Sequence, residues 1–238
     1  MMNQASFFEL LFQFVERDWE RILFLTWQHV YISLIALGLT LLVCLPMGIY
    51  LTRKPRLAPY VIGMANVFQT IPSLALLGFL IFVFGIGNDN AIGALFLYAL
   101  LPVLQNTYTG IKNVSPRVVQ AARGMGMTDF QIMSRVELPL AMPVIISGIR
   151  VASVWIIGTA ALAAAIGGGG LGRLIFSGLA TIRNEVIVAG AVPATILALV
   201  ADQGLKMLQA HLEPENRAAR IARKEEKVLA KSGITDAA

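Results

Sequence analysis

Apolar residues in this chain come in long runs divided by short polar interruptions. A transmembrane helix needs about 20 mostly apolar residues at about 1.5 Å of rise each. Five runs reach that length, near 29–51, 60–84, 91–110, 141–166 and 185–205. Residues 7–26 differ, because Glu9, Glu16, Arg17, Asp18, Glu20 and Arg21 interrupt their apolar positions. They predict an amphipathic helix lying at the membrane interface. The expected fold class is an all-α integral membrane protein with about five transmembrane helices. The expected organisation is an interfacial segment over 1–27, a membrane domain over 28–210 containing a loop at 111–140, and a charged tail over 211–238.

Composition agrees with a membrane protein. Of 238 residues 57% are hydrophobic and 14% charged, and the mean hydropathy is +0.72. Soluble domains carry about 25% charged residues, so this chain has too few to cover a globular surface. The net charge of +5 does not imply nucleic acid, since the basic residues flank apolar runs instead of forming one soluble face. Arg53, Lys54 and Arg56 fall in one set of loops with Lys112, Arg117, Arg123, Arg135 and the basic tail. Arg17, Arg21, Arg173 and Arg183 fall on the other side. The positive-inside rule then predicts an external N-terminus, with the 111–140 loop and the tail in the cytoplasm. The start lacks a basic n-region and a small-residue cleavage site, so no cleavable signal peptide is expected. The single cysteine, Cys44, lies inside an apolar run and reads as a small buried hydrophobe.

The loop carries the most information. Ser115 and Pro116 can start a helix through "RVVQAARGMG", Gly126 permits a bend at positive φ, and Thr128 or Asp129 can cap a second helix. That second helix is expected to stop at Leu138-Pro139. Ala121 and Ala122 leave a surface that another backbone can approach closely. A short helix of this kind, held between two spans, can transmit a push from a gripping partner.

Gln120-Ala121-Ala122, Gly126, Val136, Leu138 and Pro139 fall at the spacing of E-A-A-x3-G-x9-I-x-L-P. The run therefore resembles the cytoplasmic loop motif of ATP-binding-cassette importer permeases. Gln120 stands where the family has Glu and Val136 where it has Ile; the first change removes a charge. "QTIPSLALLGFL", "LYALLPVLQNTYTGIKNV", "VELPLAMPVIISGIR" and "IGGGGLG" are similar to the osmoprotectant branch, the permeases for glycine betaine, carnitine and choline. The resemblance covers roughly residues 28–205. It implies a type I importer (MetI-like) permease fold in a bacterial or archaeal cytoplasmic membrane, with the loop as a coupling helix docked on a separate ATPase subunit. It also implies a second permease copy or paralogue, and a separate extracytoplasmic solute-binding protein that carries the aromatic cage for the solute. An amino-acid importer permease, for methionine for example, shares these features; an ion-gradient-driven carrier or channel would need no coupling loop.

The chain contains no "GK" dipeptide and hence no phosphate loop. No cofactor is expected here, and ATP belongs to the partner subunit. Gly167, Gly169 and Gly172 formally satisfy a dinucleotide fingerprint, but the residues before them finish a span, not a β-strand. Gly167, Gly168, Gly169, Gly170 and Gly172 are instead expected to form an outer hinge or gate, where backbone can bend or pack closely. Asn66, Gln69 and Ser73 recur on one helical face of the second run and are the candidate lining of a translocation path, with Pro72 beside them as a kink. Pro46, Pro102 and Pro193 are expected to kink other spans. Arg150 is expected to snorkel or to pair with Glu137, and Asp202 with Lys206. His29 and His211 have no metal-ligand spacing, and no paired carboxylates or nucleophile–His arrangement suggests an enzyme.

Overall fold

A computed structural model describes residues 7–212, and among them every regular element is a helix. The charged tail, from residue 213 onward, lies outside the described residues. The first helix, α1 (Phe7–Arg53), is 47 residues long, and Asp18 interrupts it with non-helical dihedrals. At about 1.5 Å per residue it extends about 70 Å, more than twice the hydrocarbon thickness. Its break falls at Asp18, inside the segment expected to lie at the interface.

Among the described residues three further helices are long and apolar enough to cross a bilayer: α4 (Asn88–Lys112), the run from Asp129 to Ile166 and α9 (Asn184–Leu212). A fifth crossing exists if the bent pair α2 (Ala58–Thr70) and α3 (Ser73–Phe84) is counted as one span. Between the spans lie α5 (Pro116–Gly124) and α6 (Asp129–Ile132). A π turn (Met133–Glu137) then leads into α7 (Leu138–Ala160) and a 3-10 turn (Ala161–Ile166), and α8 (Gly172–Thr181) precedes α9.

The expected single helix over 60–84 is corrected. The chain turns by 105° between α2 and α3, with Ile71 and Pro72 both extended. Proline disfavours the helical region for the residue before it, so the helix ends ahead of Ile71. The second loop helix is corrected too, because it does not stop at Leu138-Pro139. It widens into the π turn and continues as α7. Pro139 has no N–H for the carbonyl four residues back, and a local change of helical register accommodates that gap.

The core is built on α4, whose contacts with α1 and α7 are the most extensive among the described residues. Its main cluster joins Ile32, Cys44 and Leu51 of α1 to Leu95, Ala99 and Val103 of α4 and to Ala152 and Ile156 of α7. Small residues set the approach. A Cβ on Gly148 of α7 would stand 2.6 Å from the Pro102 carbonyl oxygen, so only glycine permits this distance between backbones. Such close packing is how helices associate where hydrocarbon offers no hydrophobic drive. Arg150 of α7 pairs with Asp202 of α9 at 2.5 Å, and its second nitrogen reaches Gln209 at 3.4 Å. Neither expected partnership of these residues forms. Glu137 is occupied by Arg53, and Asp202 faces across to α7 instead of along its own helix.

Candidate functional site

Two regions collect the residues that the sequence singled out, and a third holds the glycine run. The first is the broken span. Its extended backbone at Ile71 would leave polar groups bare at membrane depth, where such backbone persists only when it is buried in protein or lines a cavity. Here Ile71 is half-buried, Pro72 is exposed, and both line a cavity. Tyr98 of α4 donates its hydroxyl to the Ile71 carbonyl, and Gln69 Nε2 donates to the Tyr98 carbonyl at 3.0 Å. The two bonds fix the break against α4. Beside it lies a cavity of about 440 Å3 whose wall includes Gln69, Ile71, Ser73, Tyr98, Trp155 and Thr159. None of its lining residues is charged. Of the three expected path residues the cavity gathers Gln69 and Ser73. Asn66 is exposed on α2 and does not line it. Because the helix breaks between Gln69 and Ser73, all three cannot share one helical face.

The second region is the loop. Ser115 precedes α5 as its N-cap without a side-chain bond, and Pro116 occupies its first turn. The helix closes at Gly126, whose φ is +81. Gly126 N donates to the Arg123 carbonyl and Met127 N to the Ala122 carbonyl, a pair of bonds that satisfies the last carbonyls of a helix. Thr128 then caps α6 in a reciprocal box with Gln131, and Arg123 reaches Asp129 at 3.0 Å. Ala122 is buried, whereas Gln120, Ala121 and Gly126 are exposed. Val136 and Leu138 are half-buried and Pro139 is exposed, close to the Arg53–Glu137 pair that joins the loop exit to the end of α1 at 2.7 Å.

Sequence reasoning missed Met125 and Phe130, which stand 75% and 80% exposed on the loop. The available signal was a large apolar residue in an otherwise polar connection. It also missed Tyr98 and Trp155. An aromatic residue within an apolar run carries no mark of the cavity it faces.

The third region is the glycine run, which is packed instead of open. Gly168, Gly169, Gly170 and Gly172 are buried, and Gly167 is exposed and closes the 3-10 turn in the left-handed conformation. Asn88 Oδ1 accepts from Gly169 N at 2.8 Å and Gln28 Oε1 from Gly170 N at 3.1 Å, while Arg173 Nε donates to the Gly168 carbonyl. A Cβ on Gly172 would stand 1.8 Å from the Ala161 carbonyl oxygen, so glycine is obligatory at this crossing. His29 lies beneath, its Nε2 2.9 Å from the Ile157 carbonyl.

A bundle of long apolar helices, with one span broken beside an uncharged cavity and a capped helical loop at one end, is the framework of an integral membrane protein. The family of binding-protein-dependent transport system inner membrane components matches residues 44–218, and the chain belongs to it. It is 47% identical over 202 residues to the carnitine transport permease protein OpuCB of Listeria monocytogenes, covering 85% of this chain and 93% of that protein. Identity to the choline transport system permease protein OpuBB of Bacillus subtilis (strain 168) is 48% over 202 residues, with the same coverage. The glycine betaine/carnitine/choline transport system permease protein OpuCB of Bacillus subtilis (strain 168) is 46% identical over 202 residues, again with that coverage. Among solved structures, an inward-facing form of the MetNI methionine ABC transporter matches with a TM-score of 0.74 at 23% identity. That match covers 83% of this chain and 98% of the other, and it shows the shared fold. The chain is thus a transport permease and not an enzyme.

Proposed function

We propose that this chain is the membrane-spanning permease of an ATP-driven importer for quaternary-amine osmoprotectants, the class comprising glycine betaine, carnitine and choline. The observation that carries the substrate class is its 46–48% identity, over most of its length, to permeases named for those solutes. In this reading the uncharged cavity at the broken span, with Gln69 and Ser73, belongs to the translocation path. The loop from Gln120 to Pro139 docks on an ATPase subunit, with Met125 and Phe130 as apolar anchors beside Gln120 and Ala121. ATP is bound and hydrolysed there and not on this chain. The packed Gly167–Gly172 segment is the outer gate, moving as a unit. A second copy or a paralogue completes the pathway, and a separate solute-binding protein delivers the cargo. In this reading the loop faces the cytoplasm and the N-terminus the outside, an orientation that the Lys and Arg distribution supports.

The test is uptake of radiolabelled glycine betaine, carnitine and choline by salt-stressed cells lacking the chain. These cells are compared with cells restored by wild type or by Gly126→Val, and with wild type after ATP depletion. Uptake of at least one solute that returns with wild type, fails with Gly126→Val at equal membrane level and fails without ATP supports the reading. If none of the three is taken up, the solute class is wrong. Uptake that survives ATP depletion points instead to an ion-gradient-driven carrier. The shared fold with the methionine transporter does not favour an amino-acid cargo, because a likeness at 23% identity speaks only to architecture.

A further inference from the structure

The cavity beside the broken span is lined by two aromatic residues, of which only Trp155 is well exposed, and by no charged residue. Trp155 of α7 lines it and is 51% exposed, whereas Tyr98 is 5% exposed with its hydroxyl committed to the Ile71 carbonyl. The remaining polar groups of the wall, Gln69, Thr70, Ser73 and Thr159, are neutral. A quaternary ammonium has no N–H to donate, so these side chains cannot hold it through conventional hydrogen bonds. It is attracted by the electron-rich face of an aromatic ring, and tryptophan presents the best such face. A carboxylate in the wall would attract it more strongly but would also retain it. Passage requires a site that is favourable to enter and weak enough to leave. One ring in an uncharged cavity meets both conditions.

We propose that Trp155 is the transit contact for the quaternary ammonium head, a specificity-determining residue within the permease itself. The inference rests on the osmoprotectant reading above. It assigns the cation to the ring of Trp155 and leaves Gln69, Ser73 and Thr159 for the hydroxyl or carboxylate end of the solute. Trp155 then sorts solutes after the binding protein has released them.

The chain has three tryptophans, Trp19, Trp27 and Trp155. In a Trp19→Phe/Trp27→Phe background, mono-, di- and trifluorotryptophan can be placed at position 155 alone. The complete importer, with ATPase and binding protein made separately with ordinary tryptophan, is then reconstituted into proteoliposomes and assayed for choline uptake. Fluorine drains the ring face of negative potential with little change of size. The expected result is a stepwise fall in kcat/KM with fluorine number, roughly 2- to 30-fold across the series. In the otherwise native chain, efficiency should fall in the order Trp155, Trp155→Tyr, Trp155→Leu at equal membrane levels. A flat fluorine series, or Trp155→Leu performing as well as Trp155→Tyr, overturns the transit contact and leaves the importer reading standing. Absence of quaternary-amine uptake by the unsubstituted protein overturns both.

Discussion

Arg53 and Glu137, separated by 84 positions in the chain, meet at 2.7 Å and tie the last residue of α1 to the π turn that leads into α7. The two ends differ in surroundings. The Glu137 side chain is 9% exposed and that of Arg53 is 46% exposed. Removing the arginine leaves a buried carboxylate without its partner, while removing the carboxylate leaves a guanidinium that reaches water. Arg53→Ala should therefore destabilise the protein by about 1–3 kcal/mol, and Glu137→Gln by clearly less. Thermal unfolding of the purified variants in detergent checks this, and equal losses would contradict it.

Gly126 holds a left-handed conformation, φ +81, that orients α6 relative to α5. A β-branched residue there costs roughly 1–2 kcal/mol of backbone strain, whereas asparagine adopts the conformation readily. Gly126→Val should lower both co-purification of the ATPase subunit and solute uptake, and Gly126→Asn should retain most of each. If both variants dock the ATPase equally well, the turn does not set the loop's shape.

How far the sequence carried depended on whether the physics was local. The apolar runs were legible because a bilayer fixes the length of a span, and the loop was legible because its caps act over three or four residues: Thr128 with Gln131, and Gly126 with Arg123. The depth of the bend at Ile71-Pro72 was not. Proline forecasts a lost donor, but a turn of 105° is held by Tyr98, 27 positions away from Ile71. The partner of Arg150 was hidden for the same reason. Its pairing crosses from α7 to α9 over 52 positions, and the sequence offered only snorkelling or Glu137. Pro139 read as a terminator, yet it sits in the first turn of α7 behind a π turn, a register change that no local pattern announces.

The latch at the broken span makes a second pair of substitutions informative. Tyr98→Phe deprives the Ile71 carbonyl of its donor, and Gln69→Leu removes the bond to the Tyr98 carbonyl. Each should cost about 1 kcal/mol, the usual net worth of a hydrogen bond, because Ile71 and Tyr98 both line the cavity and their carbonyls can turn to its water. Since both bonds hold the same break, the combined loss should fall short of the sum by more than about 0.5 kcal/mol. A double-mutant cycle on unfolding in detergent measures this, and additive losses would mean that the two bonds act independently.

The Arg150–Asp202 pair separates a structural role from a functional one. Its side chains are 30% and 26% exposed, and it joins α7 to α9. Asp202→Leu leaves the half-buried arginine with only the longer bond to Gln209, and the loss should be about 1–3 kcal/mol. That loss should lower the steady-state level in the membrane severely. Replacing both residues, as Arg150→Met with Asp202→Leu, removes the charge along with the need to neutralise it. The double variant should recover most of the lost level, because apolar side chains of similar volume replace such pairs at little net cost. If the level recovers and ATP-dependent uptake recovers with it, the pair only holds α7 against α9. If the level recovers while uptake stays low, the pair serves a movement of these helices during transport. A double variant as poorly accumulated as Asp202→Leu alone would contradict the desolvation argument itself.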